Sequence, residues 1–410
     1  QLANLGRQGV EPPVALDHAI AEIRGLPVLL VHINEATTKP VHLRGQGIEA
    51  AYIRSGGTTR DASRQEVGML MLHSRTPRWE DLHATVVLPH AEILARLDLA
   101  ALLTLLEQPV PTDDETMMLW AGRERLVADL PAGGGYITNL GAIAAAKNLG
   151  DYPDLAHKGV RVIVYAGRDK SRTVSETEGK RGYAAAFQAL IAYLDGPKGV
   201  LRGDETVIDG LRTRAEIYPS IAVREIVANA LIHQDFTVSG ISPTVEVFTD
   251  RVEVSNPGSL LPSKTLDRLI GAQPESRNEV RAKLFRRCRI CEERGSGLVK
   301  AGLAIETAGL PPIRFEAGSN HVKVTLFGPR PFADMTQAER LAACYQHAVL
   351  RHLSNGVMTN ASLRERLRLT ERQRRTATNL IRDAIEAGLI KPADPDSTSL
   401  RFSEYIPAWA

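Results

Sequence analysis

The sequence predicts an α+β protein built from more than one domain, and three observations carry that reading. At 410 residues and 44.7 kDa the chain is about two to three times an ordinary domain, so roughly two to four compact units are expected. Segments with apolar residues at helical spacing alternate with short β-branched stretches, the pattern of a mixed fold. A hydrophobic content of 43% and a mean hydropathy of −0.14 supply conventional cores. The longest apolar runs, such as 26–31 and 100–103, fall far short of the ~20 residues a membrane crossing needs, so a soluble protein is expected.

Along the chain, 27–33 reads as a buried strand, 50–54 as another, and Ser63 with Glu66 as a capping box opening a helix to 72. These make a small α+β unit over 1–75. Ile93, Leu94, Leu97, Ala101, Leu102 and Leu105 then fall at helical spacing, and Pro109 and Pro111 end the run, so 76–130 is expected to be a helical connector. The largest domain is expected over 131–333. It should hold a helix from Thr138, a strand at 160–165, a helix at 183–194, a strand near 206–211 and a helix at 220–234. Val245, Val247, Val252 and Val254 alternate about a turn at Asp250, and a hairpin follows around Gly318, Ser319 and Asn320. From 334 to 410 the chain is helical with a short polar tail. No internal repeat or low-complexity tract occurs.

Fifty basic against 48 acidic side chains leave +2, which excludes a highly basic coat protein and an acidic solvating tail and names no partner. The basic set is 39 Arg and 11 Lys; guanidinium suits bidentate contact with phosphate or carboxylate, and a genome-wide codon bias would give the same skew. Cys288, Cys291 and Cys344 are too few for a disulfide framework and fit a reducing cytoplasm. The first two have zinc-knuckle spacing, but no second pair or nearby histidines complete four ligands, so they read as ordinary thiols. The chain opens at Gln1 without an initiator Met or a signal-type apolar core, from which an upstream segment is expected.

The helix at 220–234 carries the strongest constellation. Glu225, Asn229 and His233 recur every four residues, about 40° apart around the axis, so they share one face. Ile221, Val227, Ala230 and Leu231 fill much of the rest, and polar groups on a buried helix need partners. A carboxylate one turn from a carboxamide lets Glu225 orient a water while Asn229 ligates a hard cation held largely by phosphates. A solvated stripe with an ordinary i,i+4 pair fits the same residues. Downstream, Ser255-Asn256-Pro257-Gly258 follows a strand and reads as a turn offering backbone N–H groups and an Asn amide for a base edge.

Glu292-Glu293-Arg294-Gly295-Ser296-Gly297 then leads into a helix starting near Leu298, where backbone amides and the helix dipole attract phosphate. A loop that merely needs positive φ is the plainer alternative. Residues 262–289 have the length of a mobile cover over a nucleotide. They carry Arg277, Arg281, Arg286, Arg287 and Arg289, which equally suit a solvated helix face.

Together, YPSIAVREIVANALIHQDF, VEVFTDRVEVSNPGSL and EERGSGLVKAGLAIETAGLPPIRF resemble the ATP-binding module of RecG-like transcriptional regulators, a branch of the GHKL ATPases typified by gyrase B subunit and MutL. The likeness runs over about 218–327. HINEATTKPVHLRGQGIEAAYIRSGGTTRDASRQEV similarly resembles the C-terminal half of the Schlafen-type Alba-like domain that precedes this module in the same family. The resemblance implies a partial Alba-like α+β domain, a GHKL (Bergerat-like) α/β sandwich and a C-terminal winged helix-turn-helix, with ATP and Mg²⁺ as cofactors. It implies that Glu225 acts as general base, Asn229 binds Mg²⁺ and through it the nucleotide, and Asn256 with Gly258 stands where the family reads adenine. Gly295, Ser296 and Gly297 would hold phosphates. The chain departs from the pattern where the family offers an Asp to the adenine amino group: Asn256 accepts the same bond without charge assistance. The acidic nuclease residues of Schlafen proteins lie earlier than the part matched, so none is carried over. Arg54 and Arg60, flanking Gly56-Gly57 and Thr58-Thr59, suit a nucleic-acid backbone or a plain charged loop.

The C-terminal segment gives a second signal. Residues 338–354, 360–367 and 370–387 read as three helices, the last opened by Thr370 and Gln373 in a capping-box arrangement. The join at Leu369-Thr370 suits helix-turn-helix geometry. Residues 361–391 hold eight Lys or Arg against four acids. Arg364 and, in the first turns of the recognition helix, Arg372, Arg374 and Arg375 are the expected contacts to double-stranded DNA, with 394–401 as a wing. A helical dimerisation module with a solvated basic face fits the same pattern.

The expected function is that of a nucleotide-binding, DNA-binding transcriptional regulator, in which ATP at a GHKL-like site modulates DNA binding by a winged helix. The alternatives are an ATP-hydrolysing enzyme of DNA repair or defence, and a degenerate GHKL fold serving as a dimerisation scaffold. ATP, duplex DNA and, in a homo-oligomer, a second copy of the chain are the expected partners; no membrane is, and the cytoplasm is the expected location. P-loop helicase chemistry has no support, since no GxxxxGK[ST] stretch occurs.

Overall fold

The computed structural model describes residues 4–410 apart from positions 15, 34, 35, 37, 56, 57, 73–77, 131, 132, 209, 210, 293, 294 and 395–402. The chain is α+β and divides into two compact units, Gln1–Leu82 and His83–Ala410. No helix among the described residues is long and apolar enough to cross a membrane.

The first unit holds strands β1 (Val10–Glu11), β2 (Leu16–Ile23), β3 (Leu26–Ile33), β4 (His42–Leu43), β5 (Tyr52–Ser55) and β6 (Thr58–Asp61), then helix α1 (Arg64–Leu72). The pairs are β1 with β4, β2 with β3 and β5 with β6. The capping box read from sequence opens α1: the Glu66 amide donates to Ser63 Oγ at 3.3 Å and the Ser63 amide to the Glu66 carboxylate at 2.9 Å. The strand expected at 27–33 forms but is not buried. Leu26 and Ile33 are 67% and 64% exposed, because β2 and β3 make a two-stranded ribbon with neither face layered among the described residues.

The second unit opens with α2 (His90–Arg96), α3 (Leu99–Leu105), α4 (Asp114–Arg123), β7 (Val127–Asp129), β8 (Gly135–Ile137), α5 (Asn139–Ala145), β9 (Arg161–Tyr165), β10 (Thr173–Glu178) and α6 (Tyr183–Asp195). The apolar run through 93–105 is two helices, not one. Asp98 ends the first and caps α3 by accepting the Ala101 amide at 3.2 Å, while Leu97 bridges to Ala146. Next come β11 (Arg202–Ile208) and β12 (Leu211–Glu216), which pair as a separate hairpin. The stretch expected as a strand at 206–211 is where that hairpin reverses, with Ile208 opposite Leu211; Asp-Gly at 209–210 is a sequence favoured for a tight turn, but those two positions lie outside the described residues.

The elements that build the site follow: α7 (Ser220–His233), β13 (Thr244–Val247), β14 (Arg251–Pro257), α8 (Glu279–Arg287), α9 (Gly297–Ala308), β15 (Arg314–Ala317) and β16 (His321–Phe327). One mixed sheet runs β10-β9-β13-β14-β16-β15, antiparallel throughout except where β9 lies parallel to β13. Period-2 alternation brings Val162, Val245, Val254, Val324 and Phe315 into register across five of these strands. Helix α7 lies over this sheet and packs along α9. Its last carbonyls are satisfied from α8's side: Asn278 Nδ2 donates to the carbonyls of Ile232 at 3.0 Å and Gln234 at 2.8 Å.

The chain closes with α10 (Gln337–Leu353), β17 (Met358–Thr359), α11 (Asn360–Arg366), α12 (Arg374–Glu386), β18 (Ile390–Pro392) and β19 (Glu404–Pro407), the strands forming a sheet in the order β17-β19-β18. Ala343, Cys344, Leu363, Ala377, Leu380 and Ile381 pack its core. Thr370 and Gln373 pair as read, the Thr370 amide donating to Gln373 Oε1 at 2.9 Å, although the first turn is 3₁₀ and α12 starts only at Arg374.

Two sets of contacts join this C-terminal part to the sheet region. Glu306, in the last turn of α9, sits 3.0 Å from His347 of α10 and 3.3 Å from Arg366 of α11. The segment 259–278, between β14 and α8, rests on α10: Tyr345 Oη donates to the Asp267 carbonyl at 2.6 Å, and Trp409 Nε1 donates to Tyr345 Oη at 2.9 Å. Ile270 packs with Val349 and Leu350, and Arg268 lies 5.2 Å from the Trp409 ring.

Candidate functional site

A cavity of 470 Å³ opens between α7, the sheet, segment 259–278, α8 and the start of α9, a volume within the range of small-molecule sites. Glu225, Asn229 and His233 all line it, as residues four apart on one helix must when that face turns inward. The opposite wall is apolar, with Phe315, Val322 and Val324 from the sheet and Leu298 from α9.

Glu225 is 3% exposed. One carboxylate oxygen takes the Arg224 guanidinium at 2.6 Å, and Arg224 also donates to the Arg289 carbonyl. The other oxygen faces Gly297, where an added Cβ would overlap it and would stand 3.8 Å from the Asn229 amide nitrogen. Glycine is therefore what allows α9 to start against α7. Burial pushes the Glu225 pKa up, with Arg224 opposing and Glu292 reinforcing. The Asn229 carboxamide has no hydrogen-bond partner among the described residues. The His233 side chain is exposed, yet desolvation by the protein around it and then Arg281, Lys264 and Arg277 lower its pKa, so its ring is neutral at pH 7.

Asn256 lines the cavity from a strand and not from a turn. Strand β14 continues through Pro257 because β16 pairs with it, Asn256 opposite Val322, and alternation from Val252 and Val254 puts Asn256 on their face. It is buried, its amide donating to the Pro257 carbonyl at 3.3 Å. The chain turns at Gly258, at φ 101°, where a Cβ would overlap Asp235; its amide donates to the Asn320 carbonyl at 2.7 Å, and it does not line the cavity.

Gly295, at φ 66°, and Gly297 line the cavity, whereas Ser296 does not: its hydroxyl bonds the Glu292 carboxylate, which also pairs with Lys300. Among the described residues no side chain caps the start of α9, which leaves its first amides for water or a ligand. Glu293 and Arg294 lie outside the described residues.

The arginines of 262–289 are largely structural. Arg277 pairs with Asp235, Arg281 is buried 4.1 Å over Phe236, Arg287 pairs with Glu124 at 2.6 Å and Arg289 with Glu107 at 2.7 Å. Burial pushes the Cys288 thiol up to about 12 and Cys291 to about 11, so both stay protonated at neutral pH. Sequence reading missed Arg224, Lys264 and Phe315; Arg224 had a signal in its position beside Glu225, the other two only in the fold.

The C-terminal arginines form a separate group, away from the cavity. Arg364 is held by Asn360 at 3.0 Å and Glu371 at 2.6 Å. Arg372, Arg374 and Arg375 are exposed at the start of α12 with no ion pair among the described residues. Much of the basic excess is spent internally: Arg366 on Glu306 and the Leu310 carbonyl, Arg382 on Asp383 and Glu386, Lys391 on the Ala410 carbonyl. In the first unit, Arg60 pairs with Glu66 at 2.7 Å; Gly56 and Gly57 and most of the expected wing lie outside the described residues.

Residues 240–326 match an ATPase-type family model described as "Putative ATP-dependent DNA helicase recG C-terminal". This RecG-like module contains Asn256, Arg286 and Gly295 to Gly297, while α7 with Glu225 and Asn229 precedes it. No curated protein matches the chain. Among solved structures, the DIP2311 protein from Corynebacterium diphtheriae aligns with a TM-score of 0.49 at 16% identity, over 97% of this chain and 66% of that one.

Proposed function

We propose that the chain is an ATP-binding regulator in which nucleotide in the α7–α9 cavity modulates duplex DNA binding by the C-terminal part. One observation carries the reading: Glu225, Asn229, Asn256 and the uncapped start of α9 surround a single cavity at a RecG-like ATPase-type module. Asn256 and the apolar wall of Val322, Val324 and Phe315 would take the adenine, and the amides at Gly295 and Gly297 the phosphates. The donor set fits Mg²⁺. Among the described residues no three His, Cys, Asp or Glu side chains gather as a metal cage, and the free Asn229 carboxamide offers one oxygen to an ion that keeps phosphates and water as its other ligands. Bound there, Mg²⁺ would neutralise phosphate charge.

We read the sheet region as a GHKL-like sandwich, the first unit as Alba-like, and the order α10-β17-α11-α12-β18-β19 as a winged helix with Arg372, Arg374 and Arg375 facing DNA. Modulation would pass through segment 259–278 and through Glu306, which both touch the C-terminal helices.

Titration with ATP and Mg²⁺ in a calorimeter should give saturable heat; none across a range of salt concentrations would remove the reading. Hydrolysis is a second reading, favoured by the buried Glu225 with its raised pKa. In it a water oxygen bonds the γ-phosphorus, its proton passes to Glu225, and the bond to the β–γ bridging oxygen breaks with its electron pair leaving on ADP. Phosphate release should then fall about 10²- to 10⁴-fold in Glu225→Gln while ATP still binds. No release from the wild type would leave binding standing and hydrolysis refuted.

A further inference from the structure

The arginines at 277, 281, 286, 287 and 289 divide sharply by what holds them. Four are committed: Arg277 to Asp235 and the Ser259 carbonyl, Arg281 to the Ile232 carbonyl and the Phe236 ring, Arg287 to Glu124, and Arg289 to Glu107. Arg286 is half-buried on the cavity wall, and its side chain has no hydrogen bond or ion pair among the described residues. Its place follows from α8. Glu279, Ala282 and Arg286 stand at i, i+3 and i+7, one face of the helix, and all three line the cavity.

Of the other cations on that wall, Lys264 is bound to the Gln273 carbonyl and lies 3.7 Å from Glu275, and Arg277 is paired as above. Arg286 is the cavity cation left without a counter-charge among the described residues. Its position along the cavity is marked by Arg224, which bonds Glu225 at 2.6 Å and also donates to the carbonyl of Arg289, whose own amide donates to the Arg286 carbonyl at 2.9 Å. The last turn of α8, which carries Arg286, is therefore tied to the stretch of α7 that carries Glu225, and both side chains line the cavity. An unpaired guanidinium lining a partly apolar cavity gains most from a carboxylate or phosphate that offers two acceptor oxygens to its fork.

We propose that Arg286 contacts the terminal phosphate of the nucleotide and makes the cavity selective for nucleoside triphosphate over diphosphate. This rests on the nucleotide reading above: a water oriented by Glu225 stands next to the terminal phosphorus, so a cation on the helix turn tied to Glu225's stretch of α7 meets that phosphate and not the inner ones. The side chain makes no bond that the fold needs, so its replacement should leave the melting midpoint unchanged.

The test compares dissociation constants for a non-hydrolysable ATP analogue and for ADP, each with Mg²⁺, on the full chain and on Arg286→Gln and Arg286→Lys. Arg286→Gln should weaken the triphosphate about ten- to a hundredfold and ADP less than about twofold, with Arg286→Lys between, since it keeps charge but loses the fork. Equal weakening of both nucleotides, or of neither, with wild-type binding intact, would overturn the assignment alone. A wild type that binds neither nucleotide would instead overturn the reading on which it rests.

Discussion

Glu225 is a carboxylate in a place that favours the acid. Burial raises its pKa above the 4.5 of an ordinary glutamate, and the adjacent Arg224 opposes but does not cancel the effect. The unfolded chain releases this proton at lower pH than the folded one. The stabilising advantage of the protonated form is thus whole below the unfolded value and is lost as pH rises through the folded one. Glu225→Gln cannot ionise, so it should melt above the wild type at about pH 8 and lose that margin toward about pH 4. A midpoint at or below the wild type's at the higher pH would show that the ionised side chain is well accommodated. At this scale the sequence was informative where helical arithmetic applied, since Glu225, Asn229 and His233 do face one cavity. It misled at Asn256. Pro257-Gly258 looks like a turn locally, and only pairing with β16, some 65 residues on, keeps the strand running. The committed partners of Arg277, Arg287 and Arg289 likewise lie far off in sequence, so nothing local separated them from Arg286.

Helix α12 is the element on which duplex binding would turn. The surplus charge around it is smaller than composition implied, because on α11 Arg366 is buried against α9 and Arg364 is clasped by Glu371, leaving Arg372, Arg374 and Arg375 exposed at and just before the start of α12. A labelled duplex titrated across salt should show each of Arg372→Ala, Arg374→Ala and Arg375→Ala lowering the log–log slope by about 1, with Arg364→Ala changing it less. An unchanged slope in all three would take α12 off the DNA. Some helix starts with a side-chain cap were legible, as Ser63 and Thr138 attest. Interruptions were not: Asp98 splits an apolar run that spacing alone joins, and the hairpin of β11 and β12 hides inside what reads as one strand.

On the scale of the whole molecule, segment 259–278 has the cavity on one side and Tyr345, Val349 and Trp409 on the other. Nothing in the sequence announced this, because Trp409 sits in what reads as a short polar tail and meets its partners only once the chain has folded back. Trp409→Ala removes the ring beside Arg268 and the donor to Tyr345 without touching the cavity wall. It should therefore shift ATP affinity, about two- to thirtyfold, and an affinity equal to the wild type's would mean the segment is held by other contacts. The position of this segment also has a thermodynamic reading. If this segment couples the cavity to a duplex-binding surface, each ligand must alter the other's affinity by the same factor, whichever arrives first. If ATP loosens the grip on a duplex, the duplex must expel ATP to the same degree; if ATP tightens it, DNA becomes a means of retaining nucleotide. Measuring one direction fixes the other.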